Sequence, residues 1–276
     1  MVKKIIQISD VHIRNLKRLD EMGEMIDRFI EDCRGYVEKY GADGVRVCVC
    51  GDIFENHISV SNEAFACCSY FFRQLDSLGC KTYIIAGNHD YSSGNVQRLD
   101  SLSPVFGIGQ FSNVIYLDKE LGYESGCHVD DNVVFCLYSQ FSDFDRPDIE
   151  RMKVDYENLK YVGLVHGDVN GSMSYAGIST ARGIDPDVFI GLDFVLAGHI
   201  HKFQELKRNG VPIVYSSSMI QKDFGETVSQ HGYVVWDVEK NSYQFIELPN
   251  PDRGFYKFDI NSIEDIENDK EEILNL

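Results

Sequence analysis

The stretch "LAGHIHKF", residues 196–203, sets two imidazoles, His199 and His201, one residue apart at the end of an apolar run. Side chains of a strand alternate faces, so positions i and i+2 point the same way. Two histidines on one face, directly after a glycine, have the form of a ligand pair. A chance pair in a polar loop has the same form, so H-x-H alone leaves both readings open. Carboxylates and further histidines in matching places would decide between them.

Such places exist. Apolar runs over 2–8, 44–50, 82–86, 161–165 and 194–197 read as strands, and each ends in a polar cluster. The clusters are Asp10-x-His12, Gly51-Asp52, Gly87-Asn88-His89-Asp90, His166 and His199-x-His201. Between the first three, residues 15–40 and 60–78 carry apolar side chains at helical spacing. That order predicts a βαβαβ unit and a parallel sheet in an α/β protein, with the site at the strand ends. Two or three strands are expected within 113–140 and a helix over 147–160. A long Gly-rich loop follows over 169–183, then three antiparallel strands over 211–215, 232–238 and 242–248. Pro249-Asn250-Pro251-Asp252 is the strongest boundary signal. It separates a domain over 1–248 from a short segment over 249–276 with an acidic end, where 264–272 reads as a solvated helix face.

With 276 residues, 43% hydrophobic and 12% aromatic, the chain suits one large α/β domain with a full core, or that domain plus a fragment of a second. Its eight cysteines form no zinc-type array. Cys48 and Cys50 sit in a strand-like run and Cys67 and Cys68 in a helix-like one, which predicts buried free thiols in a reducing compartment. The apolar stretch before Asp10 is too short for a signal peptide, and no run approaches the ~18 apolar residues of a membrane span. An intracellular protein, in cytoplasm or nucleus and without a membrane partner, is expected. The net charge of −18 argues against broad adhesion to nucleic acid. It does not argue against an enzyme that meets phosphate through bound metal and a local basic patch.

Five of the eight histidines lie in the strand-end clusters, which makes chance a poor account. Asp10, His12, Asp52, Asn88, His166, His199 and His201 offer enough donors for two metal ions if Asp52 bridges through its two oxygens. Mixed imidazole, carboxylate and amide oxygen suits manganese, iron or zinc better than calcium. The absence of cysteine argues against a structural zinc site. Two such ions about 3.5–4 Å apart can activate a water and hold both nonbridging oxygens of a phosphate.

The series D-x-H, GD, GNHD, H and GHxH, running in that order over about 190 residues, resembles the calcineurin-like metallophosphoesterase family. The resemblance implies a sandwich of mixed β-sheets flanked by helices. It implies one divalent ion on Asp10, His12, Asp52 and His201, and a second on Asp52, Asn88, His166 and His199. His89 then stands outside the metal shell as general acid for the leaving oxygen, a role open to imidazole near neutral pH. Asp90 orients His89 or braces its loop, with simple turn capping also open.

Within the family, "QISDVHIR" (7–14), "GDIFE" (51–55), "LVHGDVNG" (164–171), "FVLAGHIHKFQEL" (194–206) and "YSSSMIQKDFGE" (215–226) are similar to the nuclease subunit of SbcCD-type repair complexes. That group is related to the meiotic-recombination nuclease and to phage recombination endonucleases. The similarity, over residues 2 to about 248, implies a manganese-dependent DNA exonuclease and endonuclease of double-strand-break repair or recombination. Its implied partner is a long-armed, SMC-like ATPase, and a homodimer is left open. Two features depart from the pattern. Glu55 stands where the repair nucleases often carry His or Asp, and the 276 residues leave room for only the start of a C-terminal cap. A phosphodiesterase for a small nucleotide substrate and a non-catalytic metal-binding subunit are the alternatives. Arg14, Tyr175 and Arg182 are candidate substrate contacts, against a surface ion pair for Arg14 and plain loop polarity for the other two. Gly107-Ile108-Gly109 reads as a turn, not a nucleotide loop.

Overall fold

A computed structural model describes residues 1–92 and 98–257 of the chain. Its first half runs β1 (Lys4–Ile8), α1 (Leu19–Tyr40), β2 (Val45–Cys50), α2 (Asn62–Ser77), β3 (Thr82–Ile85), α3 (Ser103–Ile108), β4 (Val114–Tyr116) and α4 (Leu117–Glu120). The second half adds β5 (Gly126–Asp130), β6 (Val133–Tyr138), α5 (Ile149–Asp155), β7 (Lys160–His166), β8 (Phe194–Gly198), β9 (Gln204–Arg208), β10 (Val211–Tyr215), β11 (Gly232–Asp237) and β12 (Ser242–Glu247). These strands make two six-stranded mixed sheets, ordered β12-β11-β1-β2-β3-β4 and β5-β6-β7-β8-β10-β9. Strands β1 to β4 are parallel to one another, as are β6, β7, β8 and β10.

The alternation of "KIIQI" shows why two layers form. Ile6 and Ile8 of β1 join Met25, Phe29, Phe71 and Phe72 in a core between the first sheet and helices α1 and α2. Ile5, on the other face, joins Leu164, Phe194, Leu196 and Trp236 in the core between the sheets. Trp236 stacks on Phe194 with centroids 4.2 Å apart. Gln7 is fully buried and tied to both layers. Its Nε2 donates to the carbonyls of Ala197 (3.1 Å) and Val214 (2.8 Å), and its Oε1 accepts from Trp236 Nε1 (2.8 Å). A third core, with Ile149, Phe189 and Tyr215, lines the outer face of the second sheet.

The layered α/β sandwich agrees with expectation, and several elements differ in detail. The expected helix over 15–40 begins only at Leu19, because Leu16 and Arg18 take left-handed φ angles of 56° and 55°. The helix expected over 147–160 is the seven-residue α5. Residues 211–215 do not join an antiparallel trio. They pair parallel with β8 in the second sheet, and only β11 and β12 form the antiparallel pair. Strand β9, "QELKR", has no apolar pattern to announce it because it is an edge strand. All eight cysteines are free, six of them buried.

Beyond β12, residues 249–257 lie along α1: Arg28 donates to the Pro249 carbonyl at 2.8 Å, and Arg18 covers the Phe255 ring at 4.6 Å. The acidic stretch over 264–272 falls outside the described residues. Among the described residues no helix is long and apolar enough to cross a membrane.

At the edge opposite the polar strand ends, Asp130 holds the two sheets together. Its carboxylate pairs with Arg46, Lys81 Nζ (2.7 Å) and Tyr83 OH (2.8 Å), and Asp130 and Arg46 are buried. Burial would raise this carboxyl, yet Arg46, Lys81 and Tyr83 hold it well below the usual range. A depressed folded value stabilises the protein above the unfolded value of about 4 and loses that contribution as pH falls. Asp130→Asn leaves Arg46 buried without its counter-charge, and we expect a loss of about 3 kcal/mol at pH 7. Urea titrations across pH should show the gap between wild type and variant narrowing below about pH 4.

Candidate metal centre

Strands β1, β2, β3, β7 and β8 all run out at one edge, so their terminal residues meet. The first two loops stay zipped beyond the sheet: Asp10 N–H donates to Gly51 O (3.0 Å), His12 N–H to Asp52 O (3.0 Å) and Ile13 N–H to Ile53 O (2.8 Å). Four candidate ligands take positive φ: Asp10 at 54°, His12 at 52°, Asp52 at 53° and His199 at 100°. Such backbone is unfavourable for these residues and persists only where the surroundings fix it. The flanking glycines answer to close approach. A Cβ on Gly87 would collide with Asp52 Oδ1, and one on Gly198 with the Cys50 carbonyl.

All seven candidate ligands converge. In one nest, His12 Nε2 and His201 Nε2 lie 2.9 Å apart, 3.8 and 3.6 Å from Asp10 Oδ1, and His12 Nε2 is 3.6 Å from Asp52 Oδ2. In the other, His166 Nε2 lies 3.3 Å from Asp52 Oδ2 and 3.2 Å from Asn88 Oδ1, which is 2.8 Å from His199 Nδ1. Donors sharing an ion at about 2.1 Å stand about 3–3.5 Å from one another, so both nests have the right scale. Asp52 joins them differently from expectation. Its Oδ2 faces both nests, while Oδ1 accepts the His89 N–H at 2.8 Å.

The outer nitrogens of three of these rings are held from behind, as a ligand histidine's would be. His166 Nδ1–H donates to the Cys50 carbonyl at 2.7 Å, and His201 Nδ1 meets Glu226 Oε1 at 2.7 Å. His12 Nδ1 lies 3.0 Å from Glu55 Oε2, close but too poorly aligned for a hydrogen bond. Each contact favours the proton on Nδ1 and leaves the Nε2 lone pair inward. Two lone pairs facing each other at 2.9 Å repel unless a cation lies between them, so the residues fit divalent metal. Burial would raise the Asp52 carboxyl, but His166 and His12 hold it well below the usual range. Burial would lower His166, but Asp52 and Asp10 hold it up at about 9. Metal therefore competes with a proton here, and its affinity falls as pH falls.

His89 lies outside both nests. Its Nδ1 meets the Glu55 carbonyl at 2.7 Å, and its ring stands edge-on to His12 with centroids 5.0 Å apart. Asp90, grouped with it as catalytic in the sequence, braces the loop instead. It is fully buried and accepts N–H from Ile53 (3.1 Å), Phe54 (3.0 Å) and Gly87 (2.9 Å), while the His89 ring turns to the Glu55 carbonyl instead. Arg14 donates to the Lys222 carbonyl at 2.5 Å, and the Tyr175 hydroxyl is buried with its ring beside His231. Arg182 lines a cavity of about 510 Å³ next to Asn88, His166 and His199, and has no hydrogen bond or ion pair among the described residues.

Glu226 is a support that the sequence pattern does not single out, although it closes the "FGE" of 224–226. Its Oε1 holds His201 and its Oε2 accepts the Lys222 N–H at 2.7 Å. Nothing local in the sequence links it to His201, 25 residues away. Glu226→Gln should keep the fold and weaken metal binding by about 10- to 100-fold, the usual cost of losing a carboxylate behind a ligand histidine. A competition titration against a fluorescent chelator would measure it.

Residues 3–203, more than half of the chain, match the family described as calcineurin-like phosphoesterase. The uncharacterized protein R555 of Acanthamoeba polyphaga mimivirus is 32% identical over 262 residues, 92% of this chain but only 18% of that protein. The putative phosphoesterase 244L of invertebrate iridescent virus 6 is 29% identical, covering 95% of this chain and 82% of its own length. The SbcCD nuclease subunit of Staphylococcus epidermidis is 22% identical, covering 86% and 67%. In fold, the chain is similar to a dimetal phosphatase from Danio rerio, with a TM-score of 0.53 at 13% identity over 86% of this chain and 93% of that one. The chain belongs to the calcineurin-like phosphoesterase family.

Proposed function

We propose that this protein is a two-metal phosphodiesterase that cuts DNA, as exonuclease and endonuclease, in double-strand-break repair or recombination. The observation that carries the reading is Asp52 Oδ2 facing both nests, with His89 held just outside them. Two divalent ions in such nests supply an activated water and neutralise the charge of a phosphodiester. His12, His201 and Asp10 would hold one, His166, Asn88 and His199 the other, and Asp52 both. The mixed donor set suits manganese, iron or zinc better than calcium, and the resemblance to the repair nucleases points to manganese among them.

The protein's own part is positioning and proton transfer. The Glu55 carbonyl takes the His89 Nδ1–H, so the imidazolium has its Nε2–H to give to the leaving alkoxide. Arg182, on the wall of the cavity beside Asn88, His166 and His199, would meet a phosphate flanking the cut. Similarity to the SbcCD nuclease subunit of Staphylococcus epidermidis supports a nuclease, and the resemblance of the motifs would add DNA as the substrate and an SMC-like ATPase as the partner. One observation favours a small nucleotide substrate as a second reading: the cavity around Arg182 also carries Asp143, Asp168 and Asp185, which disfavour a long polyanion.

His89→Ala should keep both metals and lose about 10²- to 10⁴-fold in turnover, the usual share of a general acid. Asp52→Ala should lose metal as well as activity. Atomic emission on both variants beside rate measurements checks this, and a metal-free His89→Ala protein would contradict it.

With manganese, labelled single-stranded, blunt and hairpin DNA should all be cut, and chelator should stop it. Hydrolysis of bis(p-nitrophenyl) phosphate with every DNA left intact would favour the small-substrate reading.

A further inference from the structure

Away from the metal centre, β5 and β6 form a hairpin whose two-residue turn is Asp131-Asn132, with Asp131 at φ 55°. Cys127 stands directly opposite Cys136. Pairs alternate between hydrogen-bonded and non-hydrogen-bonded along such a ladder. Counting from the Asp130–Val133 pair that closes the turn, Cys127–Cys136 falls in the non-hydrogen-bonded class. Cα atoms there are about 4.5 Å apart, at the short end of what a disulfide spans. As thiols the two sulfurs already lie 3.4 Å apart. No other two of the eight cysteines are in sulfur–sulfur contact among the described residues.

The pair is also graded in reactivity. Strand β5 is the edge of its sheet, where Cys127 is half-buried and Cys136 buried. The Cys127 S–H is directed at the Cys136 sulfur, whose own S–H turns to the Val134 carbonyl. Burial pushes the Cys136 thiol up. Cys127 is thus the accessible sulfur and Cys136 the resolving one.

We propose that Cys127 and Cys136 form a redox-active dithiol that closes to a cross-strand disulfide on meeting a peroxide. The Cys127 thiolate attacks one oxygen of hydrogen peroxide, the O–O bond breaks, and Cys127 sulfenic acid and hydroxide form. The Cys136 sulfur then attacks the Cys127 sulfur, the S–S bond forms, and the hydroxyl leaves with the Cys136 proton as water. Two electrons pass from the sulfurs to the peroxide, which ends as two waters once the Cys127 proton is counted. A bridge across so short a span is reopened easily by thiols, which suits a reversible site in a reducing compartment.

The test uses the full chain, treated with stoichiometric hydrogen peroxide, alkylated after denaturation and analysed by mass spectrometry. Pro147 protects Arg146 from trypsin, and no other cysteine lies between Lys119 and Arg151, so a tryptic peptide short of two hydrogens reports this pair alone. Cleavage at Asp130 and Asp131 then gives two fragments that separate only after dithiothreitol. We expect that peptide in wild type, and in Cys136→Ser an unbridged Cys127 that stops at sulfenic acid with one equivalent and goes on to sulfinic acid only with a second equivalent of peroxide. Full alkylation of both thiols in treated wild type, or sulfinic Cys127 beside a free Cys136, overturns the proposal without reference to the Ser variant.

Discussion

Two carboxylates, Asp10 and Asp52, are buried among four imidazoles, and the rest of the molecule is arranged around keeping them charged. Removing an ionised carboxylate from water costs several kcal/mol unless donors or counter-charge replace the water. Here the donors are one neighbouring hydroxyl and backbone N–H groups brought in from other loops. Asp10 accepts the Ser9 hydroxyl at 2.5 Å and the His199 N–H at 3.0 Å, and Asp52 accepts the His89 N–H. The left-handed residues follow from the same requirement. Turning Asp10, Asp52 and His199 back toward one point needs backbone that these residues otherwise avoid.

That convergence depends on two sheets being held in register. Gln7 does this beneath the site, and the Asp130 cluster does it at the far edge. The first is neutral and fully satisfied, so it adds specificity without burying a charge. The second is ionic, which links sheet packing to pH. A buried seryl bed of Ser216, Ser217 and Ser218 completes the floor, with Ser216 Oγ 2.9 Å from Ser9 Oγ. Small hydroxyl side chains can share hydrogen bonds under the carboxylates without crowding them.

The site was more legible in the sequence than its supports. The seven candidate ligands sit at the ends of five apolar runs, so the local pattern pointed to all of them and to their common edge. Partners of those ligands lie far away along the chain. Glu226 reaches His201 across 25 residues, and the Glu55 carbonyl reaches His89 across 34. Asp90 neighbours His89 in sequence, which left orienting His89 and bracing the loop both open, and its oxygens turn to Ile53, Phe54 and Gly87. Placing 211–215 beside 232–238 failed for a related reason. Both read as strands, but pairing is set by packing between layers, and β10 docks on β8. Arg14 read as an exposed cation, and folding commits it to the Lys222 carbonyl.

The metal centre hinges on one oxygen, Asp52 Oδ2, shared by two donor nests. Anomalous diffraction from crystals soaked in manganese tests that most directly. Two peaks are predicted, both within ligand distance of Asp52, one beside His12 and His201 and the other beside His166 and Asn88. A single peak, or two ions of which only one touches Asp52, would contradict it.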